Sequence, residues 1–245
     1  MICETVAATL LSTFFGVAGT GVGGLFGALL GRRGRGFLPA LFNLSGGMMV
    51  AVVCFELLPQ AYAIHVPLAA LGFFLGVASV MAMSAMLERR MGGDGTDERA
   101  MRRTGWLVLL SLALHNMPEG LAIGSGLAAQ TQLGLMLGVM IMLHDVPEGI
   151  ASSMPLCAGG MQAARAFLLT LASGLPTGLG ALAGFLLGGV SLDLIALSFG
   201  LAAGAMLQVT AGELLPRAKE QGQSAADTLF LSLGIAVGSV ITLIV

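Results

Sequence analysis

Long apolar stretches separated by short polar connections dominate the chain. A helix that spans a membrane needs about 20 consecutive apolar residues, and each of these stretches reaches that length. They lie at roughly 5–31, 37–59, 66–87, 105–128, 132–156, 163–188, 191–215 and 225–245. The pattern predicts an all-α integral membrane protein with eight transmembrane helices, which form one domain over residues 1–245.

The basic residues indicate the orientation in the membrane. With eight helices, all eleven lysines and arginines fall in connections or directly beside them on the same side: Arg32, Arg33, Arg35, Arg89, Arg90, Arg99, Arg102, Arg103, Arg165, Arg217 and Lys219. Short cytoplasmic loops are rich in Lys and Arg. We therefore expect this side to be cytoplasmic, the polar segment 88–104 to be a cytoplasmic loop, and both termini to lie outside.

Composition narrows the class of protein further. Hydrophobic residues make up 56% of the chain and charged residues 10%, whereas a soluble domain carries about 25% charged residues. The net charge of −2 offers no basic surface for a nucleic acid. The three cysteines form no CxxC pair, which argues against a thiolate metal site. The lipid bilayer is thus the expected environment, and we expect no prosthetic group.

Two internal repeats relate distant parts of the chain. GGMMVAVVCFELLPQA (46–61) resembles AGAMLQVTAGELLPRA (203–218), and HNMPEG (115–120) resembles HDVPEG (144–149). Predicted helices 2 and 7 are five apart, and helices 4 and 5 are one apart, so each pair crosses the bilayer in opposite directions. This predicts inverted repeats, helices 1–3 against 6–8 and helix 4 against helix 5, which many transporters contain.

Carboxylates inside the predicted helices are the strongest indication of function. Five of them lie there with no lysine or arginine inside any predicted helix to pair with them: Glu56, Glu119, Asp145, Glu148 and Glu213. An ionised side chain at the bilayer centre costs at least about 2.5–3.5 kcal/mol. These groups must therefore be protonated, hydrated or bound to cations.

Predicted helices 4 and 5 each carry a histidine four residues before a glutamate, a spacing that places both on one helix face. Together they offer six side chains for a metal: His115, Asn116, Glu119, His144, Asp145 and Glu148. Pro118 and Pro147 lack an N–H and free nearby carbonyls. Imidazole, carboxylate and amide donors suit a divalent transition metal such as zinc, ferrous iron, manganese, cobalt or cadmium.

The remaining helix carboxylates predict a pathway through this centre. The expected orientation places Glu56 near the outer end and Glu213 near the inner end. Met49 and Met206 precede them by seven residues, on the same helix faces two turns deeper. We expect all four side chains to line the route of the ion.

Transport of a divalent metal is the favoured function, and two alternatives remain. A metalloenzyme within the membrane would need an activated water and a base, but the HExxH pattern is absent. The Glu-x-x-His pairs of di-iron bundles are also absent. A proton or monovalent-cation channel would need only carboxylates, whereas two central imidazoles favour a transition metal. We therefore expect no enzymatic activity.

The paired HNMPEG and HDVPEG motifs resemble those of the ZIP family of divalent-metal transporters. The resemblance implies that His115, Glu119 and Glu148 are the main ligands, that His144 stands at a variable position, and that Asn116 and Asp145 serve a neighbouring second metal. It also implies uptake of zinc, iron, manganese or cadmium into the cytoplasm, two sliding helix bundles (1, 4, 5 and 6 against 2, 3, 7 and 8), and a homodimer. The absence of long loops indicates a bacterial inner membrane.

Two positions depart from the family pattern. Thr177 stands where many members have a glutamate that bridges the second metal, and Gly212 stands where some have a histidine. A neutral hydroxyl is a weaker ligand for a divalent ion than a carboxylate. We therefore expect one tightly held ion on the His115 side of the site and weak binding at the second position.

Overall fold

The computed structural model describes residues 2–31, 36–91, 97–129, 131–186, 192–221 and 225–244, and these residues are helical almost throughout. The α-helices are α1 Ile2–Leu30, α2 Leu38–Val52, α3 Leu58–Met91, α4 Asp97–Ala129, α5 Thr131–Ala158, α6 Ala163–Ser173, α7 Leu175–Leu186, α8 Leu192–Val209, α9 Leu215–Gln221 and α10 Ala225–Ile244. Two π-helical turns, π1 Val53–Leu57 and π2 Thr210–Leu214, join α2 to α3 and α8 to α9.

Six helical runs among the described residues are long and apolar enough to cross a membrane: Cys3–Leu30, Leu38–Leu87, Asp97–Ala128, Gly134–Ala158, Ala163–Leu186 and Leu192–Glu220. Thr228–Thr242 is a shorter apolar helix. The prediction of an all-α membrane protein is therefore confirmed at this level.

The longest run is broken near its middle. Leu38–Leu87 contains 50 residues, which as one straight helix would extend about 75 Å, more than twice the hydrocarbon thickness of about 30 Å. His65 interrupts it with an extended backbone (φ −159°, ψ 98°). Its Nδ1 accepts a hydrogen bond from the Leu68 N–H at 3.3 Å, so this half-buried side chain caps the helix that follows.

The two ELLP segments share an unusual local structure. In π1 the Leu58 N–H bonds to the Val53 carbonyl, and in π2 the Leu215 N–H bonds to the Thr210 carbonyl, both five residues back. A proline follows each of these N–H donors and has none of its own, so the regular helical ladder cannot resume at once. Single π-turns inside helices often mark functional sites, and these two carry Glu56 and Glu213.

Glycines bring the helices together in two groups. In the first group, α1, α4, α5, α6 and α7 pack on one another. The Cα of Gly23 in α1 lies against the backbone at Val146 in α5, and that of Gly120 in α4 lies against the backbone at Thr177 in α7. A side chain at either glycine would collide with main chain, so these helices are closely locked.

The second group contains α2, α3, α8, α9 and α10 together with both π-turns. Gly76 of α3 lies against the Leu201 backbone of α8, and Gly47 of α2 against the Leu231 backbone of α10. For every helical glycine that the structure describes, the nearest atoms of another helix belong to the same group. The two groups meet chiefly where α4 packs on α8.

The predicted polar loop 88–104 is wrong in its extent. Residues 88–91 continue α3, and α4 begins at Asp97, with two acidic residues in its first turn where the helix dipole favours negative charge. Arg103 therefore belongs to α4. The basic residues Arg32, Arg33 and Arg35 lie outside the described residues.

Candidate metal centre

The HNMPEG and HDVPEG motifs lie within α4 and α5, which pack side by side. Pro118 and Pro147 each lie inside their helix. All six predicted ligands are sealed from solvent, each at most 3% exposed: His115, Asn116, Glu119, His144, Asp145 and Glu148. The structure thus brings together the complete set that the two motifs predict.

The side chains of the two motifs interdigitate across the helix pair. His115 Nε2 of α4 lies 2.8 Å from Glu148 Oε2 of α5, and His144 Nε2 of α5 lies 3.0 Å from Glu119 Oε1 of α4. His144 Nε2 is also 3.8 Å from Asp145 Oδ1. Each helix therefore supplies the carboxylate that meets the other helix's imidazole.

Three of these residues are close enough to share one ion. Ligand atoms of His115, Glu119 and Asp145 all lie within 4.8 Å of one another. Ligand atoms about 2.1 Å from a tetrahedral zinc ion are roughly 3.4 Å apart. A contraction of about 1 Å, which side-chain rotation can supply, would therefore bring all three into the coordination shell.

Several buried atoms of the cluster lack a hydrogen-bond partner among the described residues. They include both carboxylate oxygens of Asp145, Oδ1 of Asn116 and Oε2 of Glu119. His115 Nε2 and Glu148 Oε2 are close but not aligned for a hydrogen bond. Because a buried charge without a partner is costly, this arrangement favours a cation that accepts all of these lone pairs.

A break in the neighbouring helix orients Asn116. Helix α6 ends at Ser173, and the Thr177 N–H bonds to the Gly174 carbonyl at 3.2 Å. The Ser173 carbonyl instead accepts a hydrogen bond from Asn116 Nδ2 at 2.8 Å. The amide nitrogen is thereby held by α6, which leaves Asn116 Oδ1 available as a ligand.

Thr177 is fully buried beside this centre. Its backbone packs against Gly120, directly after Glu119, and its hydroxyl lies against Gly16 of α1. Oγ1 has no hydrogen-bond partner among the described residues. Thr177 thus packs beside the residue that follows Glu119, and its hydroxyl faces α1.

The predicted pathway residues belong to the second helix group. Met49 and Met206 are buried, at 2% and 0% exposed, and the Thr210 hydroxyl donates to Met49 Sδ at 3.3 Å. Glu56 is half-buried in π1, within electrostatic range of His144 and Glu119, and its Oε2 lacks a hydrogen-bond partner among the described residues.

Glu213 in π2 corrects one expectation. The sequence predicts no lysine or arginine within a helix that could pair with a helix carboxylate. In the structure, however, Arg103 lies within α4, and its Nη2 is 3.2 Å from Glu213 Oε1. The hydropathy pattern does not reveal Arg103, because the apolar run begins after it. A helix can nevertheless extend beyond its apolar part, and a long arginine can reach along it.

The helices and the cluster together define a multi-pass helical membrane protein with a candidate site for a divalent metal in its core. Residues 87–245 match the family model described as ZIP zinc transporter. A zinc transporter ZupT of Chlorobium luteolum is 32% identical over 252 aligned residues, which cover 94% of this chain and 95% of that protein. The chain belongs to the ZIP zinc transporter family, which is a family of transporters and not of enzymes.

Two other relatives match over shorter regions. The zinc transporter ZIPB of Bordetella bronchiseptica is 40% identical over 149 residues, covering 60% of this chain and 48% of that protein. The zinc transporter GufA of Myxococcus xanthus is 39% identical over 136 residues, covering 55% and 54%.

Proposed function

We propose that this protein carries zinc across a membrane into the cytoplasm through the six side chains of α4 and α5. The observation that carries the proposal is the set of buried ligand atoms without hydrogen-bond partners, which converge from two helices. The protein environment must offset the cost of burying these groups. A divalent ion does so while it is bound, and its departure leaves a charged site ready for the next ion.

The two helix groups supply a mechanism for alternating access. All six ligands belong to the first group, whereas Glu56 and Glu213 belong to the second. The close glycine contacts of the described residues join helices within each group and none of them joins one group to the other. The first group can therefore slide against the second with the ion, from the end near Glu56 to the end near Glu213.

We further propose eight membrane crossings with inverted repeats, 1–3 against 6–8 and 4 against 5, and both termini outside. The break at His65 divides the 50-residue run into two helices of spanning length. The matching π-turns of the two ELLP segments are what a repeat would produce.

Labelling of introduced cysteines tests this topology. In a protein whose native cysteines are replaced, a cysteine at Glu56 should react with an impermeant thiol reagent only from outside. A cysteine at Glu213 should react only from the cytoplasmic side. The reverse pattern would invert the orientation and the direction of transport.

The ligand set also accommodates iron, manganese and cadmium, because imidazole and carboxylate donors discriminate weakly among these ions. We propose all three as further substrates. A homodimer in a bacterial inner membrane is the proposed setting, and the mass of the purified protein in detergent tests the dimer.

Uptake of radioactive zinc into proteoliposomes tests the function directly. We expect saturable uptake that unlabelled zinc suppresses, with iron, manganese and cadmium as weaker competitors. An imposed proton gradient distinguishes coupled from uncoupled transport. Empty liposomes supply the control, and uptake no faster than theirs would refute the proposal.

Metal stoichiometry tests the role of Thr177. We expect one tightly bound zinc ion per chain, since the second position relies on Asn116, Asp145 and the shared Glu119 and Glu148. Thr177→Glu should strengthen the second site and slow turnover, whereas Thr177→Ser should leave the stoichiometry unchanged. Calorimetry that finds two equally tight ions in the unmodified protein would contradict this expectation.

A further inference from the structure

The ion pair between Arg103 and Glu213 joins the two helix groups. Arg103 belongs to α4 of the first group, and Glu213 belongs to π2 of the second. Nη1 and Nη2 of Arg103 face the two carboxylate oxygens at 3.5 Å and 3.2 Å. A guanidinium and a carboxylate that meet through two pairs of atoms are held in one orientation.

Ser84 of α3 completes a closed triangle with this pair. Its hydroxyl accepts a hydrogen bond from Arg103 Nη2 at 2.8 Å and donates one to Glu213 Oε1 at 3.3 Å. Ser84 and Glu213 both belong to the second group, so two of its elements hold the one side chain from the first. The Arg103 and Glu213 side chains are only 13% and 9% exposed, so water screens the pair less than it screens a surface pair.

The position of Arg103 connects this triangle to the metal centre. Arg103 precedes His115 by twelve residues on the same helix, a distance of about 18 Å along the helix axis. Movement of α4 along the second group would therefore displace the ligands and the guanidinium together. The triangle resists this movement, because it must break before α4 can slide.

A cavity of about 420 Å³ adjoins the triangle. It is lined by Arg103, Glu213 and Ser84 together with Gln208, Arg217 and Glu220. On the metal side, Ser111 lies one turn of α4 before His115 and is fully buried, and its hydroxyl has no hydrogen-bond partner among the described residues. The triangle thus lies between this cavity and the buried part of α4 that carries the metal ligands.

We propose that Arg103 is a positioning residue that latches the first helix group to the second at the inner end of the pathway. While Arg103 binds Glu213 and Ser84, the buried Ser111 stays inaccessible from the cavity. Release of the arginine frees α4 to move and exposes Glu213 to the departing ion. This inference rests on the proposed transport function and adds a gate to it.

Thiol labelling without any metal tests the latch. Ser111→Cys is placed in a protein whose native cysteines are replaced, and a small thiol reagent is applied from the cytoplasmic side. Arg103→Gln should increase the labelling rate about tenfold, since it removes a shielded, charge-assisted contact. Glu213→Gln should have a similar effect.

The chain offers a matched control at the same cavity. Arg217 pairs with Glu220 at 2.8 Å, but both belong to the same group of helices. Arg217→Gln should therefore leave labelling at the parent rate. The exchange Arg103→Glu with Glu213→Arg should restore protection to within about twofold of the parent, because the attraction is preserved with its signs reversed.

Zinc uptake supplies a readout that a merely structural role would not give. Arg103→Gln should change the maximal rate and leave zinc affinity at the central site unchanged, and Arg103→Lys should recover part of the effect. If Arg103→Gln does not yield folded protein, Ser84→Ala, which removes only the neutral partner, should still raise labelling about threefold.

Equal labelling in the Arg103→Gln and Arg217→Gln variants, or no protection in the exchanged pair, would overturn the latch. Because labelling requires no metal, its outcome is independent of transport. Absence of zinc uptake by the parent protein would instead refute the proposed function.

Discussion

Glu119→Gln and Glu148→Gln should each abolish saturable zinc uptake. Each replacement removes one charge from a centre that is at most 3% exposed while keeping the size of the side chain. Groups that only support the ligands of a metal site are worth about 10–100-fold in metal affinity, so loss of a charged ligand should weaken zinc binding by at least that factor. Uptake kinetics and calorimetry measure both effects.

Stability without metal separates a lost ligand from a misfolded protein. The metal-free centre contains three carboxylates at close quarters, so removal of one should leave the unfolding temperature unchanged or raise it. Zinc should raise the unfolding temperature of the parent and not that of either variant. Glu220→Gln, at an exposed glutamate, is the control, and zinc uptake at the parent rate by either site variant would refute the assignment.

The sequence alone predicts that these side chains converge, because the residues of each motif are close along the chain. His115 and Glu119, like His144 and Glu148, are four residues apart, and helical periodicity places each pair on one face. The near identity of the two motifs then predicts that both serve one centre. Only the packing of α4 against α5, which no local pattern encodes, decides which carboxylate meets which imidazole.

Features that depend on contacts between distant segments could not be predicted in this way. The bond from Asn116 to the Ser173 carbonyl requires a helix break at Gly174. Gly174 and Pro176 favour a break there, but they do not predict which side chain pairs with the freed carbonyl. Hydropathy places Arg103 in a loop because it locates the apolar part of a helix and not its end. The π-turns had a visible signal in the prolines after each ELL, although proline alone does not distinguish a kink from a π-turn.

The glycines show the same limit of prediction from sequence, because their packing partners lie on distant segments. Their four-residue spacing in α1 predicts close packing, but not the helix against which each one packs. The structure assigns those partners and divides them into two groups. Packing within a group should therefore be intolerant of added volume, whereas glycines outside these contacts should tolerate it.

Gly120→Ala should destabilise the protein strongly and impair zinc binding. The added methyl group would meet the backbone of Thr177, which cannot rotate away, so α4 and α7 would have to separate. Overpacking of this kind costs about 1–3 kcal/mol. The separation would also strain the bond between Asn116 and Ser173, because both residues lie beside the same contact.

Two other glycines give a graded comparison for this prediction. A methyl group at Gly212 would meet only the flexible side chain of Gln208, and one at Gly36 would meet nothing within 4 Å. Gly212→Ala should therefore have a small effect, and Gly36→Ala should change the free energy of unfolding by less than about 0.5 kcal/mol. Thermal unfolding of the three variants in detergent measures the series. A Gly120→Ala protein as stable as the Gly36→Ala protein would mean that α4 and α7 are not locked together, and the division into two sliding groups would lose its physical basis.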